Sequence, residues 1–155
     1  VVMLGEMRDI ETISTAITSA ETGHLIFSTL HTLGAAKTID RVIDAFPAEQ
    51  QNQIRTQLSM VLRAVVSQRL ISTLSGEMLP VFDVMTVNPA IQNLIREGKT
   101  HQIDNAIAGG GSGMLSMDSE LARLGREGLI SKETARAYAL HPETMERQMR
   151  FGSVR

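Results

Sequence analysis

The sequence predicts an α/β fold: parallel strands plus a β-hairpin, followed by a bundle of helices. Three observations predict it. Val1-Val2-Met3-Leu4 and Leu25-Ile26-Phe27-Ser28-Thr29-Leu30 are apolar-rich runs with a helical pattern between them. Two longer runs, Val66–Leu74 and Met78–Val87, meet at Ser75-Gly76-Glu77. Beyond Pro89 the apolar residues recur at helical spacing. Of the 155 residues 43% are apolar, enough for a packed core and too many for a disordered chain.

Taken in order, Val1–Leu4 stops at Gly5 and reads as a strand buried on both faces, the kind that parallel sheets contain. Asp9 stands at an N-cap position, Ile10, Ile13, Ile17 and Ala20 follow at helical spacing, and Gly23 closes that helix. With the run 25–30 as the next strand, this is a βαβ unit. Ala35–Ala45 is a second helix, striped by Ile39, Val42, Ile43 and Phe46. Pro47 opens a third, which turns Ile54, Leu58, Val61, Leu62 and Val65 inward. The hairpin follows. Helices are then predicted over roughly 90–97, 101–108, 117–127, 132–140 and 143–150. Ser131 and His141-Pro142 mark breaks between the last three, and Gly109–Gly113 is a flexible break between earlier ones. Charge shifts at the same place as pattern. Residues 1–88 carry 6 bases and 9 acids, whereas 89–155 carry 9 bases and 8 acids. Two domains follow: 1–88, α/β, and 89–155, helical.

Composition removes several functions. With no cysteine, zinc–thiolate sites, disulfides and thiol catalysis are excluded. A net charge of −2 and few aromatics give neither the basic stripe nor the stacking platforms of a nucleic-acid binder. No apolar run reaches the roughly 18 residues of a membrane helix. The chain opens on Val1, inside a predicted strand and without an initiator Met, which reads as part of a longer protein.

Glu6 lies directly after a strand, at the carboxyl edge where α/β sheets gather their ligands. A carboxylate there can hold Mg²⁺ through water or orient an attacking water; it can also simply solvate the turn. His24 and His31 flank the second strand, about 23 Å apart at the rise of an extended chain, so one small ligand cannot touch both within one subunit. His31 shares the edge of Glu6 if the strands are parallel, which makes it the candidate phosphate sensor. His24 lies at the other end, where a structural or interface role is the simpler reading. His101 and His141 sit at helix starts, as surface or capping residues. No histidine pair has metal-ligand spacing, so no protein-only metal site is predicted. Gly109–Gly113 is not a phosphate loop, because Met114 and Leu115 follow it where Lys and Ser or Thr would be needed.

Gly-Glu-Met-Arg-Asp at 5–9, Glu-Thr-Ile at 11–13, Ala-Glu-Thr-Gly-His-Leu-Ile-Phe-Ser-Thr-Leu-His-Thr at 20–32, Ala-Ala-Lys-Thr-Ile-Asp-Arg-Val-Ile-Asp at 35–44 and Phe-Pro-Ala-Glu at 46–49 resemble the retraction ATPases of type IV pili, within the wider superfamily of secretion and traffic ATPases. The likeness continues through Val-Ser-Gln-Arg-Leu at 66–70 to Ala90–Lys99 and covers about the first 105 residues strongly. It implies the C-terminal half of a RecA-like P-loop ATPase domain followed by the helical domain. Gly5-Glu6 then corresponds to the end of the Walker B strand, with Glu6 as the carboxylate that activates water. His24 and His31 correspond to the histidine box, with His31 catalytic and His24 at an interface or sensing nucleotide state, and Arg8 to a transmitter of that state. Ala90, Ile91, Asn93, Leu94, Ile95, Arg96 and Glu97 correspond to a retraction motif in which the family normally has Arg where this chain has Gln92. Its apolar stripe of Ile91, Leu94 and Ile95, beside Arg96 and Glu97, is a plausible contact for a partner.

The resemblance further implies ATP and Mg²⁺ as ligands, both requiring a Walker A segment that this sequence does not contain. It implies a homo-hexamer in the cytoplasm, peripheral to the inner membrane, working on a membrane-bound pilus platform and not on nucleic acid. A pilus-assembly or type II secretion ATPase is the neighbouring alternative, and a non-enzymatic helical interaction module the more distant one. The isolated chain is expected to turn over no ATP; a hydrolysis rate that disappears in Glu6→Gln would overturn this.

Overall fold

A computed structural model describes residues 1–111 and 113–151. Ser112, inside the Gly109–Gly113 run, and residues 152–155 lie outside the described residues. The elements run β1 (Val2–Leu4), α1 (Ile10–Glu21), β2 (Ile26–Ser28), α2 (Ala35–Asp44), α3 (Ala48–Val61), β3 (Ala64–Ser72), β4 (Met78–Thr86) and α4 (Pro89–Arg96). A 3-10 turn over Thr100–Gln102 leads into α5 (Ile103–Ala108), and then come α6 (Met117–Arg126), α7 (Lys132–Tyr138) and α8 (Pro142–Phe151). No helix among the described residues is long and apolar enough to cross a membrane. Packing divides the chain into two compact units. One holds Val1–Ala64 with Thr86–Ile103, and the other holds Val65–Met85 with Asp104 onward. Packing thus groups α4 with the first unit and the hairpin with the second, whereas the division at residue 88 follows the order of the chain.

In the first unit β1 and β2 pair in parallel, with Val2 opposite Ile26, Met3 opposite Phe27 and Leu4 opposite Ser28. The α1 crossover starts where extended Asp9 accepts the Thr12 N–H at 2.8 Å, and it stops where Gly23 takes a φ of 91°, a conformation that glycine adopts without strain. The third helix begins at Ala48, with Pro47 as its N-cap. α1, α2 and α4 all pack on α3. Ile13, Ile17, Ile39, Ile43, Ile54, Leu58, Ile91 and Ile95 are buried and form this unit's core. Val61 and Leu62 are only half-buried, because α3 ends between them.

The expectation that the first strand is buried on both faces fails. Met3 is 66% exposed and Phe27, beside it, 54%. The second strand is also shorter than its apolar run. Among the described residues two strands make this sheet, with α1 beside β2, and within this chain both Met3 and Phe27 remain exposed on it. An apolar run reports strand propensity, not what covers the strand.

In the second unit, β3 and β4 pair through the Thr73–Glu77 connection, where the Thr73 N–H donates to the Glu77 carbonyl at 2.8 Å. So short a connection requires antiparallel strands. Alternation buries Ile71, Val81 and Met85 and leaves Val66, Leu70 and Met78 exposed. Two buried carboxylates tie this unit together. Asp83, on β4, accepts the Met117 N–H at 3.1 Å where α6 begins. Asp118 accepts the N–H groups of Leu140 and His141 at 2.7 and 2.9 Å, at the junction of α7 and α8. The Arg69 guanidinium lies 5.4 Å from the centre of the Tyr138 ring and donates to the Tyr138 carbonyl at 3.0 Å. α6 packs on α8 closely enough that a Cβ on Gly125 would stand 2.2 Å from Cε of Met149.

The Ile91→Ala or Ile95→Ala change should destabilise the protein by about 2–5 kcal/mol, since each truncates a fully buried side chain. Asn93→Ala, on the exposed face of the same helix, should stay within about 0.5 kcal/mol. Denaturant unfolding of the three variants checks the contrast.

Candidate functional site

Glu6 stands two residues beyond β1, between the strand and the cap of α1. The segment after β2 meets it. The Met7 N–H donates to the Thr29 carbonyl at 3.1 Å, and the Thr29 hydroxyl donates to the Gly5 carbonyl at 2.5 Å. His31 follows two residues later. Its Nε2 lies 3.2 Å from Oε1 of Glu6, while Nη2 of Arg8 lies 2.6 Å from Oε2. The parallel register therefore brings Glu6, Arg8 and His31 to one sheet edge. The Glu6 side chain is 22% exposed, against 76% for Arg8 and 85% for His31. The acid is set into the edge, and its two partners project from it.

The Arg8 hydrogen bond is the main reason that the Glu6 carboxyl sits below its ordinary value near 4.5; His31 adds to this, and partial burial opposes it. The same contact pushes the Arg8 guanidinium up. A carboxylate has about four acceptor positions, so Glu6 can accept more than its contacts with Arg8 and His31. A carboxylate made less basic in this way is a modest proton acceptor at neutral pH. It is a well-held group for orienting a water molecule, which phosphoryl transfer to water requires.

His24 is elsewhere. Its Nδ1 lies 3.1 Å from the Thr22 hydroxyl and 3.2 Å from the Ser19 carbonyl, at the C-terminus of α1. A carbonyl can only accept, so this contact requires the proton on Nδ1. In the neutral ring Nε2 is then left as an acceptor. The two histidines of the sequence pattern thus occupy different surroundings, and only His31 joins Glu6.

The 90–97 motif forms α4. Asn88 caps it, accepting the Ile91 N–H at 3.0 Å, with Pro89 at the first position. Ile91 and Ile95 are fully buried where α4 packs on α3, and Leu94 is half-buried. The apolar stripe expected to offer a partner contact is consequently turned inward. Core packing took the isoleucines, and the exposed residues are Ala90, Asn93, Arg96 and Glu97. Arg96 donates to the Asn93 side chain, and Glu97 pairs with Lys99 at 2.7 Å. His101 is exposed in the 3-10 turn, and His141 pairs with Asp104 at 3.0 Å.

No group of three or more His, Asp or Glu among the described residues could hold a metal. Glu6 is already engaged by a guanidinium and an imidazole, so these residues do not fit a Mg²⁺ centre of their own. Sequence reading passed over Thr29. A hydroxyl residue at the carboxyl end of a strand, two before His31, was the available signal, but its partner Gly5 lies 24 positions away.

A family model described as Type II/IV secretion system protein matches residues 1–115. The type IV pilus retraction ATPase PilT of Pseudomonas aeruginosa is 52% identical over 144 residues, covering 92% of this chain and 42% of the relative. The twitching motility protein of Neisseria gonorrhoeae is 50% identical over 147 residues, covering 94% of this chain and 39% of the relative. A crystal structure of the pilus retraction motor PilT with bound ADP superimposes with a TM-score of 0.83 at 41% identity, covering 94% of this chain and 41% of that one. The chain thus spans about two-fifths of the length of these relatives, and its α/β architecture is that of the matched part of the motor.

Because its carboxyl is held low, Glu6 contributes stability that is present above its ordinary value near 4.5 and lost as the pH falls through the depressed folded value. In Arg8→Ala the Glu6 titration midpoint should rise toward 4.5. Carbon-detected NMR of the Glu6 carboxyl would show it, and an unchanged midpoint would remove Arg8 as the cause.

Proposed function

The chain belongs to the Type II/IV secretion system protein family, and from that premise we propose that it is part of a hexameric ATP-hydrolysing motor that powers type IV pilus retraction and twitching motility. The observation that carries the proposal is the Glu6–Arg8–His31 cluster at the carboxyl edge of the parallel strands. In this reading residues 1–88 supply the ATPase half and 89–155 the helical half. Glu6 orients the water that attacks the γ-phosphoryl group. His31, a donor exposed beside it, reports the phosphate, and Arg8 holds the carboxylate ionised and senses nucleotide state. His24, outside this cluster, serves an interface between subunits.

ATP is the substrate in this reading, and its phosphates need a Walker A segment, which this sequence does not contain. Mg²⁺ would come with ATP; among the described residues no group of three or more His, Asp or Glu could hold it. The exposed face of α4, with Ala90, Asn93, Arg96 and Glu97, would pass the motion on, with Leu94 at its margin and Ile91 and Ile95 anchoring the helix. The partner is a pilus platform protein at the inner membrane, and the motor is cytoplasmic and peripheral to it. The identity to a retraction ATPase extends over 92% of the chain, helical tail included, which supports retraction.

In the complete protein Glu6→Gln should lower ATP turnover by about 100-fold or more and abolish twitching together with it. Asn93→Ala or Leu94→Ala should lower twitching with ATP turnover retained. Twitching that survives Glu6→Gln would defeat the motor reading. Loss of turnover and fold together in the α4 variants would reduce that helix to core.

A further inference from the structure

We propose that Thr29 is a positioning residue for Glu6, fixing the backbone on either side of the carboxylate that the segment 29–31 also engages. This rests on reading Glu6 as the water-orienting group. Thr29 lies one residue beyond β2. Its hydroxyl donates to the Gly5 carbonyl at 2.5 Å, and its own carbonyl accepts the Met7 N–H at 3.1 Å. The first contact holds the peptide unit before Glu6, and the second holds the unit after it. Peptide units are planar, so the only soft torsions between these two anchors are φ and ψ of Glu6 itself. Two residues along the same segment, His31 holds Oε1 of the Glu6 side chain at 3.2 Å. Three of the four contacts named around Glu6 thus come from residues 29–31, and Arg8 supplies the fourth.

The two halves of the clamp differ in what a substitution can remove. The Met7–Thr29 bond is backbone to backbone and survives any side chain. The bond to Gly5 needs the hydroxyl. Gly5 and Thr29 are both exposed, so water can satisfy the Gly5 carbonyl once the hydroxyl is gone. The fold therefore has little stake in the hydroxyl, whereas the aim of Glu6 has a large one. A displacement near 1 Å in a group that orients a reactant can cost about 100-fold in rate. Valine keeps the β-branched shape of threonine and its stiff χ1 while deleting the donor. Serine keeps the donor.

The experiment compares Thr29→Val, Thr29→Ser and Glu6→Gln in the complete protein, measuring steady-state ATP hydrolysis and thermal unfolding. Thr29→Val should lower kcat by about tenfold or more and leave KM for ATP within about twofold, because an oriented water matters to the chemical step and not to nucleotide binding. Thr29→Ser should stay within about threefold of the unchanged protein. Full kcat in Thr29→Val overturns the proposal. So does a Thr29→Ser protein as slow as Thr29→Val, or a Thr29→Val protein that no longer folds, since the hydroxyl would then be structural. Glu6→Gln separates this inference from its premise. If Glu6→Gln keeps its turnover, the reading of Glu6 fails and the clamp with it. If Glu6→Gln is inactive while Thr29→Val is not, only the role of Thr29 fails.

Discussion

The parallel pairing of two three-residue strands is the constraint from which the candidate site follows. With Leu4 opposite Ser28, the chain leaves both strands at the same edge, and the residues that follow have no choice but to meet. The pairing is extended beyond the strands by backbone bonds at each end, Val2 to Leu25 and Met7 to Thr29. Side chains on a strand alternate, so a slip of one residue would turn every one of them to the other face. The glutamate would then face away from the histidine. The α1 crossover, started by Asp9 and closed at Gly23, sets how far apart in sequence the two strands can be while still lying side by side.

Carboxylates in this chain do two kinds of work, and their partners tell them apart. Asp83 and Asp118 are buried and accept backbone N–H groups at helix starts and junctions. Such groups cannot move without exposing the amides that they satisfy. Glu6 is half-buried and accepts from side chains that are themselves mostly exposed. In the proposed motor, its partners would be traded for a ligand at small cost to the fold. Satisfied structural acids and an exchangeable acid at a sheet edge are thus distinguishable by geometry, although both read as single acidic letters in the sequence.

Much of this was legible in the residues because the signals are local. Asp9 before an apolar stripe, Gly23 after it, Gly76 between two alternating runs and Pro89 at a helix start each act within four residues. The strand register was legible only as a condition, since His31 shares an edge with Glu6 only if the strands are parallel. Covering was not legible at all. Val2 and Met3 have the composition of a core strand, yet what lies over a strand depends on distant chain. The face of α4 was misjudged for a similar reason. Ile91 and Ile95 mark an apolar stripe, but nothing within the motif says that α3 is there to receive it. Thr29 escaped notice because its partner is a backbone carbonyl 24 positions away, a group that every residue carries and no sequence letter marks.

The close crossing of α6 and α8 also decides what chemistry the helical tail tolerates. Gly125 makes room there, and a methionine fills it, so the separation of the two helices at that point is set by a thioether. Methionine is an adaptable filler because it is unbranched and soft. It is also the side chain that oxidants convert to a sulfoxide, which is polar and bulkier at sulfur. Met149 is half-buried and so within reach of solvent, while its Sδ lies 3.3 Å from where a Cβ on Gly125 would be. An added oxygen would find a helix backbone where most cores would offer a yielding side chain. Oxidation of Met149 would therefore act where a missing side chain lets α6 and α8 pack together.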